Sequence, residues 1–474
     1  SIVNLRSNSI LLNDPNDVDY KVFRRDEMFV SCDTMVALSG ATRNGQTLFA
    51  KNSDRPKEEC QTLVQRSRAK HSQSTTVKCQ FVELPQVGVT HGHVGSRPHW
   101  CWGYEHGFNE YQVAIGNEAL PSKLPPSPYP KLVGMEIVRL GLERGSTAEE
   151  AVGVMTSLIT KYGQGPFQNK SGVRTYDNSY IVADPEEAYV IETVGHEWVV
   201  KRIDSALGIS NVHSIGTDWD RRSPQVEQLA LERGWWETNN KRFNFAEAYQ
   251  DLGRSLEGRS PQRRSRSCAV LAAEKGNIDI RTMLALLRDH HYEDANDAGR
   301  FEERITGPRS ICMHYGYGVT TNTTASLVAD LCSDGSRLPI YWTSLYAPCL
   351  GIFMPMFSHG TVPPNLSVGD ENPSEDSPWW IFRNLDKVAR EEIGFDPTIV
   401  SDVRAAWSSL QGELLDSAYL ISSKAKNLID SGQHDIAANI LTKYMCSNMA
   451  QALLIAKSLV SRCRSVSAPH FVQL

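Results

Sequence analysis

From Cys32 onward, Thr34, Val36 and Leu38 interleave with Asp33, Met35 and Ala37, the two-residue period of a strand. Asn44-Gly45 marks a turn and Thr47-Leu48-Phe49-Ala50 reads as a returning strand, so the segment predicts a β-hairpin. Two registers are open. A tight turn at Asn44-Gly45 sets Asp54 opposite Met35, whereas a wider loop from Ser39 to Gln46 sets Asp54 opposite Ser31 and Lys51 opposite Thr34. Either one brings a thiol, a carboxylate and an ammonium toward one end of a sheet.

The period then lengthens. Leu132, Met135, Ile137, Val138 and Leu142 have helical spacing up to Arg144, with Gly145 as a stop, and Thr147 with Glu150 predicts the cap of a second helix running to about Tyr162. Strands are expected at Ser179 to Ala183, Ala188 to Thr193 and Trp198 to Ile203. Helices follow at Phe245 to Leu256 and Ile280 to Asp289, and strands resume from Tyr315 to Leu331. The basic run Arg259 to Ser267 between the two helices reads as a solvated loop. Residues 361–378 are rich in Pro, Gly, Ser and acidic groups and read as a linker; from 379 the chain reads as helical, with Ile436, Ile440, Leu441, Tyr444 and Met445 as one apolar stripe.

Composition narrows the function. The 474 residues carry 49 Lys+Arg against 55 Asp+Glu, a net charge of −6, with no basic stripe of the kind that neutralises nucleic-acid phosphates. No nucleic-acid partner is expected. The uncharged stretch from Leu338 to Phe357 contains Pro339, Pro348 and Pro355 and reads as buried strands and turns, so no membrane span is expected either. The first 31 residues lack the apolar core of a signal peptide. Ten cysteines without a close CxxC pair read as reduced thiols of a cytoplasmic protein, with neither a disulfide scaffold nor a structural zinc site. His91, His93 and His99 lie in a Gly- and Pro-containing loop without cysteine or carboxylate neighbours and are read as no metal site; no cofactor is expected.

Cys32 is the candidate nucleophile because of its context: Ser31-Cys32-Asp33-Thr34 opens the alternating segment, and Lys51-Asn52-Ser53-Asp54-Arg55-Pro56 returns past it. CDTMVAL, LFAKNSDRP and SRPHWCWGYEHGFNEYQVAIGNEAL, followed in order by KYGQG, NSYIVADPEEAYVIET, GISNVHSIGTDWD and NTTASLV, resemble the secernin and cysteine-dipeptidase branch of the N-terminal nucleophile (Ntn) hydrolases. The resemblance spans Cys32 to about Gly360, and WWIFRNLDKV extends it into the tail.

The resemblance implies an α/β fold, a four-layer αββα sandwich, over residues 32–360, preceded by a leader at 1–31 and followed by the linker and a helical extension at 379–474. It also implies that Cys32 becomes residue one once the leader is cut, its α-amine serving as general base to its own thiol. Lys51 falls where relatives carry an arginine beside the nucleophile. Asp54 would hold or polarise the amine, and Asn117 and Asn211 would shape the oxyanion hole. Asn322 stands where the branch often has arginine before TTxS, a substrate-binding position deprived of its cation. The implied substrate is a small peptide or an N-acyl amide. A secernin-like regulator of secretion without turnover and an acyltransferase using the same thioester stay open as alternatives, and the long helical tail leaves a homodimer open.

Overall fold

The computed structural model describes residues 31–125, 127–169, 172–238, 241–257, 259–290, 310–315, 320–392 and 397–467. The expected leader, apart from Ser31, lies outside the described residues. The alternating segment forms β1 (Cys32–Ala37) and β2 (Leu48–Arg55), antiparallel in the wider of the two registers: Cys32 faces Ser53, and Thr34 faces Lys51. The connecting loop folds into a short 3₁₀ turn at Ser39–Ala41, and Gly45 takes a left-handed φ of 70° beyond it, which lengthens the connection past a two-residue turn.

Next come β3 (Gln61–Arg66), β4 (His93–Pro98), β5 (His106–Asn109) and β6 (Ala114–Leu120). Helices α1 (Gly134–Arg144) and α2 (Ala148–Tyr162) precede β7 (Asp177–Ala183), β8 (Ala188–Val194), β9 (Glu197–Arg202), β10 (Ala206–Ile209) and β11 (Arg221–Arg222). The second half supplies α3 (Ser260–Ala273), α4 (Ile280–Leu287), β12 (Asn322–Asp330), β13 (Ile340–Leu345), β14 (Met354–Met356), α5 (Pro378–Lys387), α6 (Pro397–Asp430) and α7 (His434–Ser467). One sheet has the order β10-β1-β2-β12-β13-β14 and the other β11-β9-β8-β7-β6-β5-β4-β3, both antiparallel throughout.

The two sheets face each other through β1 against β6 and β7. Helices α1 and α2 cover the outer face of the eight-stranded sheet, while α3 and α4 cover β10, β1, β2 and β12 of the other, giving four layers, α/β/β/α. Ile115, Tyr180 and Ile191 pack under Val138, Leu142 and Met155 on the first side. On the other, one apolar core runs from Met35 and Phe49 through Trp342 and Trp379 to Leu441 and Met449, so the tail helices share the core of the six-stranded sheet.

Because β1 and β2 are covered on both faces, every one of their residues is buried, including Asp33, Thr34, Lys51, Asn52, Ser53 and Asp54. Polar groups so placed must find partners inside the protein. Thr34 and Lys51 point to the opposite sheet and Asp33 and Asn52 to the helices; Asn52 Nδ2, for example, donates to Leu287 O at 2.8 Å.

Two readings need correction. Arg259 to Ser267 is not a solvated loop: helix α3 starts at Ser260 with Pro261 in its first turn, and buries Ser260, Arg263, Ser267 and Leu271. Its inward face is mostly polar, so no hydrophobic period announces it. In α7 the fully buried positions include Ala437, Leu441 and Met445, whereas Ile436 is half exposed and Ile440 and Tyr444 are only partly buried, so the expected stripe is borne out only at Leu441 and Met445. In the segment read as a linker, Val362 and Leu366 are buried and Val362 N–H donates to Gln65 Oε1 at 2.9 Å.

Candidate active site

Cys32 heads β1 with 5% of its surface exposed. Its backbone N–H donates to Asn211 Oδ1 at 2.9 Å, and its Sγ accepts the Asp54 N–H at 3.4 Å. Burial pushes the thiol far above its ordinary range. The Lys51 charge opposes that rise, and Glu105, Asp54 and Glu118 add to it.

Asn211 follows β10 and is fully buried. Its Oδ1 takes a second bond from Arg263 Nη2 at 2.8 Å, while its Nδ2 donates to Ala119 O at 2.7 Å. In this arrangement the amide offers oxygen, not nitrogen, to Cys32: it holds a nitrogen, whereas an oxyanion requires a donor. Arg263 is the post behind it. The guanidinium has no exposure, bonds Asp33 Oδ2 at 3.0 Å and Ser210 Oγ at 3.0 Å, and reaches the site because α3 lies directly over β1 and β10. Burial raises the Asp33 carboxyl to about 7 despite the Arg263 charge beside it.

Asp54 lies next to the end of β2 opposite Thr323, whose hydroxyl donates to Oδ1 at 2.6 Å; Oδ2 is buried without a hydrogen bond. Burial raises this carboxyl, against the Thr323 hydrogen bond and the charge of Arg263.

Lys51 is fully buried. Its ammonium donates to Asn117 O and lies 3.9 Å from Glu118 Oε1 and 4.0 Å from Glu105 Oε2. Burial is the largest single influence and pulls the ammonium down. The charges that Cys32, Glu118, Glu105 and Asp54 carry when ionised outweigh it and raise the Lys51 ammonium above its ordinary range. Glu118, which also accepts from the Thr34 hydroxyl, is raised by burial to about 8 in spite of Lys51. Gly116 leaves room for the lysine: a Cβ there would stand 2.5 Å from Lys51 Cδ.

Asn117 lies on β6 and joins this group through its carbonyl. Its side-chain amide is engaged elsewhere, the nitrogen donating to Glu105 O at 2.9 Å and Glu105 Oε2 at 3.2 Å in the orientation that gives it these two acceptors. Asn322 faces Arg55 across β2 and β12, and its side chain bonds Thr323 O at 2.8 Å and the Tyr315 N–H at 3.2 Å. A permanent cation is nevertheless close by. Arg55 is buried, with Nε 2.7 Å from Glu59 Oε1 and Nη1 3.0 Å from Glu105 Oε1.

The hairpin thus gathers Cys32, Lys51 and Asp54, the opposite sheet adds Asn117, and the turn after β10 adds Asn211. Sequence reading missed Asp33, Glu105, Glu118, Arg263 and Thr323. Glu105, Glu118 and Thr323 stand inside motif blocks already quoted, whereas Arg263 stood in the run taken for a loop. His91, His93 and His99 do not form a ligand set: the His93 ring nitrogens are 3.1 Å from Tyr104 Oη and 2.9 Å from His91 O.

The comparison that bears on the family begins one residue ahead of the thiol, with Ser31 to Glu257 matching the model of peptidase family C69. Residues 31–257 are thus similar to peptidase family C69. With a buried thiol at the head of its first strand, the matched region supports a cysteine-type peptidase or amidase. Similar solved structures include a mutant of the conjugated bile acid hydrolase from Clostridium perfringens, 14% identical over 66% of this chain and 89% of that one at a TM-score of 0.37. Penicillin V acylase from Agrobacterium tumefaciens is 14% identical over 69% and 86%, with a TM-score of 0.37. The Caenorhabditis elegans ortholog of N-acylethanolamine-hydrolyzing acid amidase is 13% identical over 63% and 92%, with a TM-score of 0.32. Among the described residues, no helix is long and apolar enough to cross a membrane.

Proposed function

We propose that this protein is an N-terminal nucleophile amidohydrolase, acting on a small dipeptide-like or N-acyl amide substrate after the Ser31–Cys32 bond is cut. The observation that carries the reading is the surroundings of the Cys32 nitrogen. That nitrogen lies 2.9 Å from the Asn211 carbonyl oxygen, which Arg263 fixes from behind, and the Asp54 carboxylate with its unbonded Oδ2 stands on the neighbouring strand. Such surroundings suit an α-amine better than an amide.

Cleavage converts the amide to an amine with an ordinary pKa of about 7.7 to 8.0, which Asp54 and Asn211 hold beside the sulfur. As Sγ attacks the substrate carbonyl carbon, its proton passes to the amine. Collapse of the tetrahedral intermediate breaks the C–N bond, and the ammonium returns the proton to the departing amine, leaving a thioester on Cys32. Water then adds to the thioester, gives a proton to the α-amine and releases the acid, and the thiol is restored. The Lys51 ammonium supplies positive potential at Sγ throughout. Asn117 is the proposed oxyanion residue, which requires its amide nitrogen to turn toward the substrate, whereas Asn211, fixed by Arg263, is kept as the acceptor that holds the amine.

Mass and N-terminal sequence of purified active protein test the reading, with Cys32 expected as the first residue and hydrolysis of dipeptides or N-acyl amides abolished in Cys32→Ala. Activity from a chain that retains Ser31 would refute it.

A further inference from the structure

Far along the chain from the hairpin, four side chains from three segments converge. His290 lies just past α4, Cys312 and His314 lead toward β12, and Cys349 sits between β13 and β14. All four are buried, and one ligating atom from each lies within 4.8 Å of all the others. His314 Nε2 is the hub: it is 3.1 Å from His290 Nε2, 3.5 Å from Cys312 Sγ and 3.4 Å from Cys349 Sγ.

Hydrogen bonding does not account for this arrangement. An imidazole nitrogen offers either one proton or one lone pair, so it satisfies one of three neighbours at a time, and His314 Nδ1 is itself buried without a partner. A metal ion among them offers all four donors one shared partner. With Zn–S about 2.3 Å and Zn–N about 2.0 to 2.1 Å, a tetrahedral Cys₂His₂ site has donor-to-donor edges of about 3.3 to 3.8 Å, and the three separations come within about 0.2 Å of that range.

We propose that His290, Cys312, His314 and Cys349 bind one Zn²⁺ in a closed structural site. Two thiolates balance the charge of the ion, and two neutral imidazoles complete a borderline-soft donor set suited to zinc. The surrounding shell is already built. Arg390 Nη2 donates to Cys349 Sγ at 2.8 Å, Arg288 Nε donates to Pro348 O at 2.9 Å, and the Cys312 N–H donates to Asp289 O at 3.0 Å. Four protein ligands leave no open position for substrate, so the role is to tie α4, the lead into β12 and the β13–β14 loop together.

The tie reaches the other site. Met313, held between two ligands, accepts the Thr323 N–H on its carbonyl at 2.9 Å and donates its own N–H to Thr323 Oγ1 at 2.9 Å, and that hydroxyl donates to Asp54 Oδ1. The lack of a CxxC pair, read above as evidence against structural zinc, overlooks ligands that only the fold brings together.

Metal analysis of the full-length protein purified under reducing conditions is expected to give about one zinc per chain, falling below about one-tenth in Cys312→Ser and Cys349→Ser. Loading the wild-type chain with Co²⁺ is expected to give tetrahedral ligand-field bands with intense thiolate-to-cobalt charge transfer, a readout that stands even where the serine variants fail to fold. Less than about one-tenth of a zinc after exposure to equimolar Zn²⁺ would overturn the proposal, as would a Co²⁺ spectrum without thiolate charge transfer or unchanged zinc in well-folded serine variants. None of these readouts depends on hydrolase activity.

Discussion

Replacing Arg263 by methionine keeps an unbranched stem in place of the arginine's aliphatic part and removes the charge that holds both Asp33 and Asn211. Breaking a buried ion pair by deleting one partner costs about 3 to 5 kcal/mol. Here the lower end applies near neutrality, because the Asp33 carboxyl, already raised to about 7, relieves itself by taking a proton. The pH dependence follows with a definite sign. Below about pH 6 the wild-type carboxyl is neutral and the ion pair contributes little; above about pH 7 it is ionised beside Arg263, and the variant, whose carboxyl stays protonated, loses that contribution. Integrating the titration of a carboxyl with pKa about 7 between pH 5.5 and pH 8 gives about 1.4 kcal/mol of extra destabilisation at the higher pH. Urea unfolding of wild type and Arg263→Met at the two pH values measures it. The same variant frees the Asn211 amide from a charged hydrogen bond worth about 1.5 to 3 kcal/mol, so kcat/KM of the processed enzyme should fall by about 10- to 100-fold. A pH-independent loss below about 1 kcal/mol, together with kcat/KM within about twofold of wild type, would refute the account of Arg263 as the post behind the site.

In Gly116→Ala the new methyl meets Lys51 Cδ at 2.5 Å and Phe49 Cζ at 3.1 Å, so the lysine must shift. An overpacking loss of about 1 to 3 kcal/mol in urea unfolding and a fall in kcat are expected, and an alanine variant indistinguishable from wild type would contradict the placement. Glu118 rises from 4.5 to about 8 on folding, so the native state holds the extra proton and this group's contribution to stability is greatest below about pH 4.5 and declines as pH rises toward 8. Glu118→Gln should therefore flatten the decline in unfolding free energy between about pH 5 and pH 8, and an equally steep decline would show that other carboxyls carry it.

The hairpin at Cys32 was legible because its hydrophobic alternation is strict and its turn residues are unambiguous. The choice of register was not, since both candidate pairings satisfy the same alternation and only the loop geometry around Ser39–Ala41 separates them. Helix α3 was illegible for the opposite reason: periodicity detects apolar stripes, and its inward face is Ser260, Arg263 and Ser267. Asn211 was legible as a site residue from the resemblance, but whether its amide would present oxygen or nitrogen to Cys32 depended on Arg263, fifty-two positions away.

By itself the sequence determined where chemistry was to be expected, because the residues that bear it, from Cys32 to Asp54, sit in one short-range hairpin whose pattern is local. Tertiary structure decided the charge state and contacts of those residues. Burying β1 and β2 between two covering layers strips water from Asp33, Lys51 and Asp54, and their partners then come from α3, β5, β6 and β12, which no local pattern connects. The four donors at His290, Cys312, His314 and Cys349 show the same division: each is an unremarkable residue in its own segment, and only the tertiary structure brings the four together.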